Sequence, residues 1–237
     1  MIGVGINENV VIAKAVINDK GRLELEFSYA PKGEKKSVFD TLLTARTAEE
    51  PANSTRLQIF GPLLPKKEDQ TREQKIQLVA GDITKLIKQL SQILEQYMLA
   101  DQIDLDRMDI QFANTGIVDA ASFESRILDQ DVLDRIYSNI VKRFAELITP
   151  YTAGKGEAFR LKLVRQSKDK HYATLPSRYL SDNPFIELMS VPADQSRVKF
   201  TKWELENGFD SGKPVEKEAA AEEKKAEAVE ANPFAAQ

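Results

Sequence analysis

An α+β fold carrying a disordered acidic C-terminal tail is what this sequence predicts, and three observations carry that reading. Short runs of β-branched or alternating apolar residues occupy both ends of residues 1–212. Between them lie two long stretches whose apolar residues recur at steps of three and four. Beyond residue 212 the chain turns to Ala, Glu and Lys and loses almost all of its large apolar side chains.

The first elements read as a hairpin. Val10, Val11, Ile12, Ala15, Val16 and Ile17 form one strand-like run, and Leu23, Leu25 and Phe27 alternate with Arg22, Glu24 and Glu26 in the next. The turn signal Asn18-Asp19-Lys20-Gly21 separates them. A short helix is expected over 37–48, a strand over Arg56–Phe60 ended by Gly61-Pro62, and an exposed charged loop over Pro65–Lys75. The surest helices follow. Over Asp82–Met98 the apolar set is Ile83, Leu86, Ile87, Leu90, Ile93, Leu94, Tyr97 and Met98, with Asp82 as the expected N-cap. Over Asp131–Leu147 it is Val132, Leu133, Ile136, Tyr137, Ile140, Phe144 and Leu147, stopped by Pro150. Met108–Phe112 reads as a strand between them. After Gly154-Lys155-Gly156, strands are expected over Phe159–Val164 with a basic outer face, over His171–Leu175, and over Arg197–Leu205.

The chain has 237 residues, 42% of them hydrophobic, which is enough to bury a core, and it contains no cysteine. Disulfides, thiolate zinc sites and cysteine nucleophiles are therefore excluded. His171 is the single histidine, which leaves no triad or histidine-rich metal site. Gly3-Val4-Gly5 lacks both the preceding strand and the third glycine of a dinucleotide fingerprint, and no Gly-Lys-Ser/Thr phosphate loop occurs. The acids Asp101, Asp104, Asp106 and Asp109 lack the glycine and glutamate spacing of a calcium loop and read as a solvated turn. No export signal and no membrane span is apparent, so a cytoplasmic protein that needs no cofactor and is not an enzyme is expected.

Lys155–Trp203 is the informative stretch. Ten basic residues stand there against five acidic ones, interleaved with Tyr172, Tyr179, Phe185, Phe200 and Trp203. Cations neutralise phosphates and release counterions, and aromatic rings stack on bases without choosing a sequence. Arg160, Lys162, Arg165, Lys168, Lys170, Arg178, Lys199 and Lys202 are the expected phosphate contacts, and Tyr172, Tyr179 and Trp203 the expected stacking rings. Residues 204–237 invert the balance, with nine acids against four bases. Such a tethered polyanion competes with DNA for a cationic groove at high effective concentration. Its tip, Asn232-Pro233-Phe234, repeats the tripeptide Asn183-Pro184-Phe185, and Phe234 suits docking into a partner's pocket.

The run Phe159-Arg160-Leu161-Lys162-Leu163-Val164-Arg165-Gln166, then Lys170-His171-Tyr172, Ser177-Arg178-Tyr179-Leu180 and Asn183-Pro184-Phe185, resembles the end of the DNA-binding core of phage-type single-stranded-DNA-binding proteins of replication. The acidic tail with an aromatic near its end is similar too. The resemblance covers about a quarter of the chain, and it implies an oligonucleotide-binding (OB) barrel. It also implies single-stranded DNA as partner, and replication or recombination proteins recruited through the tail. Host cytoplasm is the implied location if a phage encodes the chain. The sequence departs from some members in lacking a cysteine zinc site. The organisation expected is therefore an OB-like domain over 1–212, interrupted by a helical insertion at about 82–149, and a tail over 213–237. Two rivals stand beside it. One is a structural or adaptor protein, virion-associated for example, that assembles into a homo-oligomer through its amphipathic helices. The other is a metal-dependent nuclease using Asp101–Asp109.

Overall fold

The computed structural model describes residues 2–30, 54–67, 69–153, 155–167, 170–176 and 183–210. The helix expected over 37–48 and the tail over 213–237 lie outside them.

Strands β1 (Gly5–Ile17) and β2 (Leu23–Tyr29) form the expected hairpin, with Leu25 opposite Ala15 and Phe27 opposite Ile12. The Asn18 side-chain oxygen accepts hydrogen bonds from the Lys20 and Arg22 amides, and Gly21 takes φ +70° to close the turn. Strand β3 (Ser54–Ile59) extends the meander beside β2. Leu23, Leu25, Phe27, Leu57 and Ile59 all point to the core, as the alternation requires. β1 is long enough to serve two neighbours. Its second half pairs with β2, and its first half with β4 (Phe159–Ser167). β4 in turn pairs with β5 (Lys170–Thr174) and with the short β6 (Ile186–Leu188). Every pairing is antiparallel, in the order β3-β2-β1-β4-β5 with β6 against β4, and the sheet is barrel-like and nearly closed.

The helical insertion fills the connection between β3 and β4. Helix α1 spans Arg72–Glu95, ten residues earlier than the sequence suggested. Its cap is Thr71, not Asp82: a capping box with Gln74 satisfies two backbone amides in what had read as a loop. The apolar stripe misled because the first turn and a half of α1 lies on the surface. Ile76 is only half-buried, and the fully buried stripe starts at Val79. Met108–Gln111 is not a strand but one helical turn, α2, and Ala120–Arg126 forms α3, capped by Asp119 and Ser122. Helix α4 (Gln130–Ile148) begins at the Asp129 cap, and Pro150 sits in a following 3-10 turn. Arg197–Leu205 is likewise not a strand. Thr201 and Glu204 form a capping box that starts helix α5 (Lys202–Glu206).

The apolar faces of α1 and α4 pack with the inner face of the sheet into one core, which includes Phe27, Phe159, Leu90, Ile136 and Phe144. α1 also takes the place of a strand beside β6. Gln92 accepts from the Phe185 amide and Gln96 from the Leu188 amide, while Gln89 donates to the Pro176 carbonyl. Gln92 and Gln96 lie about one turn apart at the end of α1, so they satisfy amides of an edge that would otherwise be left unpaired. Tyr137 on α4 closes the far end of the β2–β3 ladder. Its hydroxyl accepts from the Leu23 amide and donates to the Ile59 carbonyl. Tyr137→Phe orphans both buried groups without opening a cavity. It is expected to cost about 1–3 kcal/mol, read as a lower urea midpoint with an unchanged m-value.

Candidate nucleic-acid interface

The alternation along β4 separates two faces. Phe159, Leu161 and Leu163 are buried in the core. Arg160, Lys162, Val164 and Gln166 belong to the other face, which the sequence reading took to be a basic outer surface. That face is present, but half of it is covered. Residues 197–209 fold back as a clasp over Lys162; Arg160 is buried beside Glu187 and Val191, and Arg165, in the register of the core-facing residues, is buried against Gly208 and Phe209.

Each of these cations is engaged within the protein. The Lys162 ammonium donates to the Lys199 carbonyl at 2.9 Å and to the Glu204 carboxylate at 3.1 Å, and it lies 5.7 Å from the centre of the Phe200 ring. The side chains of Lys162 and Glu204 are only 1% and 4% exposed. Burial holds the Lys162 ammonium below the ordinary lysine value, with Glu204 pulling the other way. Arg165 donates from its guanidinium to the Gly208 carbonyl and from its backbone to the Phe209 carbonyl. Arg160 pairs with Glu8 at 3.1 Å and Glu187 at 3.6 Å and donates to the Val191 carbonyl. Asn183, from the first Asn-Pro-Phe, fixes the clasp's other side: its carboxamide donates to the Lys199 carbonyl and accepts from the Lys199 amide. Phe185 is wholly buried. Lys162 and Arg165 thus act as pins for the clasp, Arg160 is tied to Glu8, Glu187 and Val191 instead, and the phosphate role expected of the three has no free side chain to act through in this conformation.

The end of the face at Gln166 is open. Beyond the clasp, Val164, Arg165, Gln166, Thr174, Leu175, Pro176, Trp203, Glu204 and Phe209 surround a cleft of about 220 Å³. Trp203 stacks on Phe209 with ring centres 5.1 Å apart and forms one wall. Tyr172 is 73% exposed. It lies two residues from Thr174 on β5, hence on the face that Thr174 presents to the cleft. Lys199, Lys202 and Arg197 are exposed on the clasp. Arg197 lies 3.8 Å from Glu187, and Lys202 lies 3.8 Å from Glu206. Lys170 is placed opposite Ser167 in the β4–β5 ladder. Lys168, Arg178, Tyr179 and Phe234 lie outside the described residues.

Trp203 and Arg165 line this cleft, Tyr172 lies on the strand that borders it, and Arg160 and Lys162 do not line it. Glu204, Asn183 and Phe209, which shape the site, were missed. The spacing Thr201-x-x-Glu204, the signature of a capping box, was the signal for the helix that carries Trp203. The acids of 101–109 do not converge. Asp109 pairs with Arg107 at 3.1 Å, and among the described residues no group of three or more His, Asp or Glu side chains is placed to hold a metal ion. Nor is any helix among them long and apolar enough to cross a membrane. The chain matches no protein-family model, no curated protein sequence and no solved structure.

Breaking one side of a buried ion pair strands the other charge, whereas replacing both sides with apolar groups is often neutral. Glu204→Ala is expected to destabilise by about 3–5 kcal/mol, and Lys162→Met with Glu204→Leu to recover most of that loss. Chemical denaturation of the two variants checks the contrast.

Proposed function

We propose that this chain binds single-stranded DNA without sequence preference, coating it during replication, repair or recombination and engaging partner proteins through its C-terminal tail. The observation that carries the reading is the exposed Tyr172 on the face of the cleft walled by Trp203. A ring held open on a polar face, next to a cleft walled by a second, half-buried ring, offers a surface on which something planar can stack. A cavity of roughly 150 Å³ is enough to take a benzene ring, so the cleft is of a size to accept a base edge. Lys199, Lys202 and Arg197 are exposed on the clasp that carries Trp203, where phosphates would run.

The strand order supports an OB-like barrel as the scaffold. A three-stranded meander, a helical insertion and then a hairpin that pairs back onto the first strand is compatible with a five-stranded, partly open barrel of that kind. The reversal of charge at residue 204, from a basic stretch to an acidic one, supports the tail as a competitor for the groove and a recruiting arm.

Titration with oligo-dT, followed by fluorescence of the single tryptophan, tests the reading. Saturable quenching is expected, weaker at higher salt and much poorer with duplex. No saturable binding at low salt overturns the proposal and leaves the assembly-protein reading. Tyr172→Ala is expected to weaken oligo-dT binding by about 1–3 kcal/mol. Its thermal midpoint should stay at the wild-type value, because the side chain supports no core contact.

A further inference from the structure

Resting on that reading, we propose that Phe60 and Arg22 form a second stacking post for the same DNA strand, at the opposite edge of the sheet from the Trp203 cleft. Phe60 directly follows β3, the edge strand, and is 54% exposed. The Arg22 guanidinium lies over its ring, 5.1 Å from the centroid. Strand order places this pair at the β3 end of the path β3-β2-β1-β4-β5 and Tyr172 at the β5 end.

Exposure alone would mean little. What distinguishes Phe60 is that the backbone carrying each member of the pair is fixed. The Ile59 carbonyl before it is fixed by the Tyr137 hydroxyl. Gly61 after it packs so closely on the Tyr137 ring that a Cβ would sit 2.9 Å from ring carbons. Arg22 is set by the Asn18 side chain, which receives its backbone amide at 3.0 Å. The backbone on either side of the ring is thus fixed by a buried tyrosine, and the backbone of the cation beside it by a closed turn. The backbone's share of the ordering cost is met before any ligand arrives, which is how a stacking site gains affinity.

The chemistry favours a nucleic acid. A guanidinium beside a ring offers a phosphate contact and a π-face together. Lys20 in the same turn, and Lys66 and Lys67 along the chain from Phe60, are exposed as well. The nearest carboxylate on β2, Glu24, is already engaged by Asn18, Gln58 and Arg56.

A strand reaching both posts must be longer than one that fills the cleft alone. The test compares wild type, Phe60→Ala, Phe60→Tyr and Tyr172→Ala with oligo-dT of about 6 and about 20 nucleotides, bracketing the roughly 4–16 nucleotides covered per OB fold. Phe60→Ala should weaken binding of the long oligonucleotide about tenfold and leave the short one unchanged. Phe60→Tyr should bind like wild type, and Tyr172→Ala should weaken both. Unchanged affinity of Phe60→Ala at both lengths overturns the second post and leaves the ring to a protein contact. An equal loss at both lengths also overturns it, by placing Phe60 in the primary site. Absence of binding by wild type at either length defeats the single-strand reading itself, and the post with it.

Discussion

The buried pair of Lys162 and Glu204 is the constraint on which the site depends. Two charges removed from water are tolerated only when their geometry is good and further hydrogen bonds complete them. Here the Lys199 carbonyl completes Lys162, and the Thr201 amide completes Glu204. The same carboxylate therefore caps helix α5 and pairs with strand β4. That double duty sets where α5 begins, and so where Trp203 stands against Phe209. Asn183 holds the opposite side of the clasp through the two backbone groups of Lys199, in the manner of one more rung of a ladder.

The helical insertion has a comparable task on the other side of the sheet. A strand as short as β6 leaves amides without partners along its outer edge. α1 supplies side-chain carbonyls from Gln92 and Gln96 where a further strand would have supplied backbone ones. The insertion is thus part of the wall of the barrel-like sheet. Tyr137 does the same at the end of the β2–β3 ladder. Three polar side chains on two helices close a sheet whose backbone pairing alone is incomplete.

These supports position the exposed groups that the functional reading uses. One face of β4 is divided into a covered part, where Arg160 and Lys162 are engaged internally, and an end at Gln166 that opens on the cleft walled by Trp203. On the covered part charge stabilises the fold. Beside the cleft the Tyr172 strand keeps its ring exposed, and Arg197, Lys199 and Lys202 are displayed on the clasp. Such a division fits a protein whose net charge is −4 yet whose proposed ligand is a polyanion: local placement of charge, not its total, would govern the encounter.

Much of the framework was legible in the sequence. The hairpin around Asn18–Gly21, the strand ending at Phe60, the two long amphipathic helices and strands β4 and β5 follow from local periodicity and turn chemistry. Those signals depend on residues close in the chain, so the sequence carries them openly. The start of α1 and the nature of 197–205 were legible too, in the capping boxes at Thr71–Gln74 and Thr201–Glu204, but hydrophobic pattern overrode those cues. Other matters were decided only by tertiary structure. Arg160 and Lys162 alternate with apolar residues as solvent-facing side chains would, and nothing local reveals that Glu187 and Val191 will meet the first and Lys199 and Glu204 the second. An alternating strand states which side chains share a face. Whether that face meets water or another segment depends on long-range packing, and here Glu187, Val191 and the clasp decided it.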